Sequence, residues 1–196
     1  QLILAGNPIC YYRLDEPDYY PPDPATLPIA ANTGSAGNVA DGIYQPGVET
    51  AADGPPFSGF GANNSACFLD GVNGYVSLGY PDELNFAGEI TMIAWIKPTQ
   101  TDGLRDIVAH GYTQTVANQE IFFRINAGDY QVGSWESGST TTAGAPAVND
   151  IGKWVFLVGT YDGAKWNLYH NGDLIASTAV ANSGAAVFLD TYVPWS

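Results

Sequence analysis

Basic residues are scarce in this chain. Of its 196 residues only 6 are Lys or Arg against 20 Asp or Glu, a formal charge of −14. So acidic a surface repels phosphate backbones and anionic lipid, which argues against nucleic-acid or membrane-surface binding. No run of about 18 or more apolar residues occurs, so membrane insertion by a helix is not expected. The apolar start QLILAGNPIC has no basic residues before it and is too short for a signal core plus cleavage site. It reads as an entry segment already past any processing point. Helical periodicity over 11 residues or more is absent as well. Total charge is low, at 13% Asp, Glu, Lys and Arg, while Gly, Ser, Thr, Asn and Tyr are abundant. That balance is typical of extracellular β-proteins, and the localisation expected is secreted or cell-surface.

Catalytic chemistry is equally thin. There is no G-x-S-x-G elbow, and only His110 and His170 are available as imidazole bases. Two histidines 60 positions apart, without cysteine support, are weak evidence for zinc. Both read as rim residues at strand ends. The two cysteines, Cys10 and Cys67, lie in strand-like surroundings and on that basis alone are either a disulfide or two buried thiols.

What the sequence does contain is strand after strand. In WVFLVGTYDGAKWNLYHNGDLIASTA, from Trp154 to Ala179, β-branched and aromatic runs flank Asp162-Gly163 and Asn171-Gly172. Both dipeptides tolerate positive φ and suit type I′ turns, so the segment predicts a three-stranded meander. Trp166, Leu168 and His170 point one way, Asn167 and Tyr169 the other. Val155 to Val158, apolar on both faces, belongs inside a sandwich. Further strands are expected at Pro8–Leu14, Glu89–Lys97, Asp106–His110, Glu120–Asn126 and Asp129–Ser134, with a hairpin from Ser65 to Leu78 closed around Gly71–Gly74. Residues 16–28 carry five prolines and form an extended loop, an insertion into what reads as a single domain over 1–196. About a dozen short strands at regular spacing signal a sandwich or barrel.

Five segments in order, YYRLDEP (11–17), AANTGSAGNVADGIY (30–44), GFGANNSACFLDGVNGYVSLG (59–79), ITMIAWIKP (90–98) and GKWVFLVGTYDGAKWNLYHNGDLIAS (152–177), resemble the laminin-G-like, concanavalin A-like jelly rolls of large bacterial secreted and surface proteins. The resemblance implies an all-β fold, a two-sheet antiparallel jelly-roll sandwich used to bind sugars or proteins. Such domains usually finish with a strand of the form FxGxIDDVRIY beside the N-terminal strand, whereas this sequence reads Tyr192-Val-Pro-Trp-Ser196 at that point. The final strand is therefore expected to be missing from residues 1–196, supplied by a continuation or by a neighbouring subunit, with Val187–Tyr192 extended across the sandwich. The resemblance also places the Cys10 and Cys67 strands side by side, which favours the disulfide.

Hydrolases on such a fold set two carboxylates in an E-x-D-x-x-E-like spacing; that run is absent, and no catalytic residue is assigned. Look-alike domains can hold calcium in an Asp-x-Ser-Gly-x-x-Asn loop. The corresponding residues are Asn32, Asn38 and Asp41, with Asn32 in place of the usual Asp, and the competing expectation is a loop that hydrogen-bonds its own backbone. For sugar stacking the candidates are Trp135, Tyr112 and Tyr130, near polar donors, while Trp95, Trp154 and Trp166 read as core. The function expected is a non-catalytic binding or adhesion module of a larger exported protein, with a glycan or surface protein as partner. The alternative is a structural spacer or assembly subunit that contacts neighbouring domains or subunits and takes no small ligand.

Overall fold

The protein is described from a computed structural model over residues 2–17, 28–61, 64–84, 88–111, 120–136, 139–180 and 194–196. It is almost all β, half strand and 8% helix, in antiparallel sheets. The chain divides into two compact units, Gln1–Leu84 with Ser196, and Asn85–Trp195.

The first unit holds β1 (Ile29–Ala30), β2 (Gly42–Tyr44), β3 (Val48–Asp53), β4 (Ser65–Leu69) and β5 (Val76–Ser77). They pair as a sheet β1-β2-β5 and a separate ladder β3-β4. Ser65 to Leu78 is therefore not the hairpin expected: β4 pairs with β3, and β5 with β2. The reason lies in the connection. Asp70 Oδ1 accepts the amides of Val72, Asn73 and Gly74 at 2.8, 3.0 and 2.8 Å, curling the chain into a loop. Gly74 in turn lies against Gly47, where a Cβ would come within 2.3 Å of the Gly47 carbonyl oxygen.

Pro8–Leu14 is not a full strand either. Asn7 and Leu14 sit at positive φ (49° and 55°), which bounds the extended run, and among the described residues its one ladder bridge is Tyr12 to Asn32. Loop bonds hold it instead: Thr33 N–H donates to Tyr11 O at 3.0 Å, Ser35 N–H to Pro8 O at 2.8 Å, and Tyr12 Oη–H to Ala40 O. Glu16 anchors the next stretch, accepting the Ala31 amide at 2.9 Å and the Tyr44 hydroxyl. Most of the proline-rich loop, 18–27, lies outside the described residues.

These facts correct the disulfide. Cys10 and Cys67 are free thiols. The expectation required Cys10 to lie on a strand beside β4, but the Cys10 segment attaches to the Asn32 loop while β4 pairs with β3. Burial pushes the Cys67 thiol up to about 11 and moves Cys10 upward too, so both stay protonated near neutrality.

The second unit is a two-sheet sandwich. Its strands are β6 (Ile90–Ile96), β7 (Leu104–His110), β8 (Glu120–Asn126), β9 (Asp129–Glu136), β10 (Ser139–Pro146), β11 (Val155–Tyr161), β12 (Lys165–His170) and β13 (Asp173–Ala179). One sheet has the order β10-β9-β8-β7, the other β13-β12-β11-β6, all antiparallel. β10 was not foreseen, because STTTAGAP reads as polar loop rather than strand.

The meander is present, with one turn as expected and one not. Asn171 and Gly172 take φ of 52° and 97°, as a type I′ turn requires. Asp162 instead flanks its turn: its amide donates to Lys165 O at 3.2 Å, and its Oδ1 accepts from Ala164 and Lys165. Gly163, at φ 86°, takes the first central position.

Alternation fixes the core. Val155, Leu157, Gly159 and Tyr161 of β11 are buried, with Phe156, Val158 and Thr160 between them half-exposed. Gly159 is small because Val132 of the opposite sheet fills the space; a Cβ there would lie 2.5 Å from Val132 Cγ2. Trp166, fully buried, donates Nε1–H to Ser134 Oγ at 3.0 Å across the two sheets. At the edge of β7 away from β8, His110 bridges to Trp195 with rings 4.7 Å apart, and the Gly111 amide donates to Pro194 O at 3.1 Å. His110 is thus buried rather than a rim residue. Val187–Tyr192 lies outside the described residues.

Ser134→Ala is expected to strand the Trp166 indole donor in an apolar interior, lowering unfolding free energy by about 1–3 kcal/mol. Urea denaturation of the purified protein measures this, and an unchanged midpoint would contradict the role of the bond.

Candidate functional site

Which side chains face outward on the β10-β9-β8-β7 sheet follows from which face inward. Val132 and Ser134 meet the opposite sheet, and Tyr130 is fully buried. With a period of two, Asp129, Gln131, Gly133 and Trp135 take the outer face. Register carries this face across the sheet: Asn126, Arg124 and Phe122 of β8 lie opposite Asp129, Gln131 and Gly133. Thr140, Thr142 and Gly144 of β10 lie opposite Trp135, Gly133 and Gln131, and Asp106 of β7 lies opposite Arg124.

The centre of this face is ordered by aromatic packing. Gly133 leaves room for the Phe122 ring, whose Cζ would be 2.8 Å from a Cβ at that position. The Arg124 guanidinium lies over the same ring, 3.8 Å from its centroid, a cation–π contact. Arg124 Nε–H donates to Gln131 Oε1 at 3.0 Å, and Asn126 Nδ2–H reaches the same oxygen at 3.4 Å. At the centre of the face Phe122, Gly133 and Ala109 are buried; around them Arg124, Asn126, Gln131, Asp129 and Trp135 are half-buried, while Asp106 and Thr140 are exposed. The result is a face bearing an indole, amides, a guanidinium, carboxylates and hydroxyls.

The outer face of the other sheet differs, and is organised in rows. Thr91, Thr160, Asn167 and Ser177 form a polar row across four strands, tied by Ser177 Oγ–H donating to Asn167 Oδ1 at 2.7 Å. The next row is Ile93, Val158, Tyr169 and Leu174, followed by Trp95 against Phe156 with ring centroids 5.0 Å apart. Trp95 is therefore half-buried on an outer face rather than in the core, whereas Trp166 is core.

Of the three aromatics expected to meet a ligand, Trp135 sits on the polar outer face. Tyr112 lies outside the described residues. Tyr130 is corrected: it has no exposed surface, so it offers no ring for stacking. Its hydroxyl donates to Asp150 Oδ2 at 3.1 Å, and His170 Nε2 lies 2.9 Å from the same oxygen. Burial, with Asp150 next to it, pushes the Tyr130 hydroxyl well above its ordinary pKa. This cluster fastens the loop before β11 to the sandwich.

The loop from Asn32 to Asp41 does not fit calcium. Asn32 is buried, and its Oδ1 accepts two amides, from Tyr11 at 2.8 Å and Gly34 at 2.9 Å. Its Nδ2–H donates to Gly37 O at 2.9 Å, and its own amide donates to Asp41 Oδ1 at 2.7 Å. Asn38 is exposed, and its contribution is a backbone oxygen accepting the Asp41 amide at 3.2 Å. An amide oxygen facing two N–H groups is turned to donors, not to a cation. Arg124, Gln131, Phe122, Asn126 and Asp106 were missed in the sequence. The signal was EIFFRIN, where an arginine alternates with phenylalanine beside a run already read as a strand.

A two-sheet antiparallel sandwich fixes the class of fold and leaves its role to the site it carries. A family model described as the concanavalin A-like lectin/glucanases superfamily, of laminin G type, matches residues 70–193, and the chain belongs to that family. No curated protein matches the chain in sequence.

Because the Asn32 loop satisfies itself, millimolar calcium and EDTA should give the same melting temperature. Calcium at a hundred times its Kd would instead add about 2.7 kcal/mol. A calcium-dependent rise in differential scanning calorimetry would overturn this account of the loop.

Proposed function

We propose that this chain is a non-catalytic glycan-binding module that works outside the cell and binds sugar on the outer face of the β10-β9-β8-β7 sheet. The observation that carries the reading is Trp135 on one face with Gln131, Arg124, Asn126 and Thr140. A pyranose ring has an apolar C–H face that packs on an indole, and a rim of hydroxyls that needs donors and acceptors within a few ångströms. Family membership supports a carbohydrate-binding type of module. The low-charge, acid-rich composition supports placement outside the cell.

Absence of catalysis is part of the proposal. Asp106 and Asp129 share this face but sit on β7 and β9 with β8 between them, opposite Arg124 and Asn126. His170 and Asp150 are committed to each other and to the buried Tyr130.

A second reading, an assembly subunit or spacer, is favoured by the apolar rows on the other outer face. Ile93 and Leu174 there are 42% and 55% exposed. Contiguous apolar surface of this kind marks contacts between proteins.

A glycan array on the purified protein tests the main reading, followed by calorimetry with the best ligand. Trp135→Ala should weaken binding about tenfold or more, near 1.4 kcal/mol, with the melting temperature held. A drop in melting temperature with unchanged affinity would place Trp135 in the packing rather than in the site.

A further inference from the structure

We infer that Asp106 makes this face selective for uncharged glycans, rejecting those that carry carboxylates or sulfates. The inference rests on the glycan-binding reading above. The chain has 6 basic residues, and Arg124 stands at the centre of the face. A planar guanidinium forms paired hydrogen bonds to carboxylates and sulfates, so by itself Arg124 would invite a uronate or a sulfated sugar.

Three features oppose that. Asp106 is the direct cross-strand neighbour of Arg124, on the same face. Side chains so placed have Cβ atoms about 4.5–5.5 Å apart, close enough for the carboxylate to offset the guanidinium charge. Asp129 adds a second negative charge on the next strand but one, opposite Asn126. Arg124 is also oriented, with its guanidinium over Phe122 and its Nε–H donated to Gln131, so it does not simply swing away from Asp106 toward an incoming anion. An anionic substituent would therefore meet a carboxylate together with the cation, inside the field of a chain carrying −14. Like-charge contacts of this kind cost enough to discriminate between partners. A hydroxyl carries no such penalty and can donate to Asp106. The ligand class is thus a neutral hexose or pentose chain, and Asp106 is the residue that sets the choice.

The test uses a matched pair of probes: the tightest neutral oligosaccharide from the array, and the same oligosaccharide oxidised at C6 to the uronate. Calorimetry with the wild-type protein should give the neutral probe an advantage of about tenfold or more, shrinking as salt is raised. Asp106→Asn should cut that ratio by about fivefold, chiefly through tighter uronate binding. Asp106→Ser serves as a second variant should the first fold poorly. Asp173→Asn, an exposed acid on β13 away from the face, removes the same charge and should leave the ratio near its wild-type value.

Equal affinity for both probes in the wild type would overturn the inference while leaving glycan binding intact. So would an equal effect of Asp173→Asn, which would trace selectivity to overall charge. Binding of neither probe, nor of any arrayed glycan, would remove the underlying reading as well.

Discussion

The inter-sheet fit of the Asn85–Trp195 sandwich is the constraint on which the rest depends. Val132 fills the space left by Gly159, and Ser134 Oγ accepts the hydrogen bond donated by the Trp166 indole N–H. Both contacts come from β9, and together they fix its phase. A shift by one residue would carry every side chain of the strand to the opposite face. Trp135 and Gln131 would turn inward, and Ser134 would lose its partner. The outer face therefore exists because the inner one is locked, and Phe122 and Arg124 inherit their direction through the ladder with β9.

Much of the fold was legible because its local signals agree with its long-range pairing. Asn171-Gly172 is flanked by alternating strands and forms the turn those residues favour. The jelly-roll sandwich expected from the resemblance is the architecture found. Where the reading failed, a contact distant in sequence had overridden a local pattern. ACFLD and YVSLG look like two arms of a hairpin, yet β3 and β2 claim them separately. Cys10 and Cys67 were paired on an assumed neighbourhood that those ladders do not make. Ala127 takes φ of 51° at the β8–β9 turn, a conformation alanine does not advertise, so that Ala-Gly turn carried no signal.

The candidate site was less legible than the fold. Trp135 and Tyr130 were both plausible from composition, but one residue of phase separates an outer-face side chain from a buried one. Phase depends on β10, whose STTTAGAP carries no alternating apolar pattern, and on Gly159, which the sequence presents as a neutral gap in WVFLVGTY. Charge is also divided unequally: Gln1–Leu84 has Arg13 as its one base, and the other five lie in Asn85–Trp195. A single arginine on the polar face is conspicuous against that background, but the aspartate that balances it is visible only through strand pairing.

The central claim is that sugar occupies the outer face of the β10-β9-β8-β7 sheet. The most direct measurement is an NMR titration of isotope-labelled protein with the neutral oligosaccharide selected on the array. The account predicts that shifts concentrate on the Trp135 indole and on the side-chain signals of Gln131, Asn126 and Arg124. Shifts confined to Ile93, Trp95, Phe156 and Tyr169, with the first group unmoved, would place the ligand on the opposite face and contradict it.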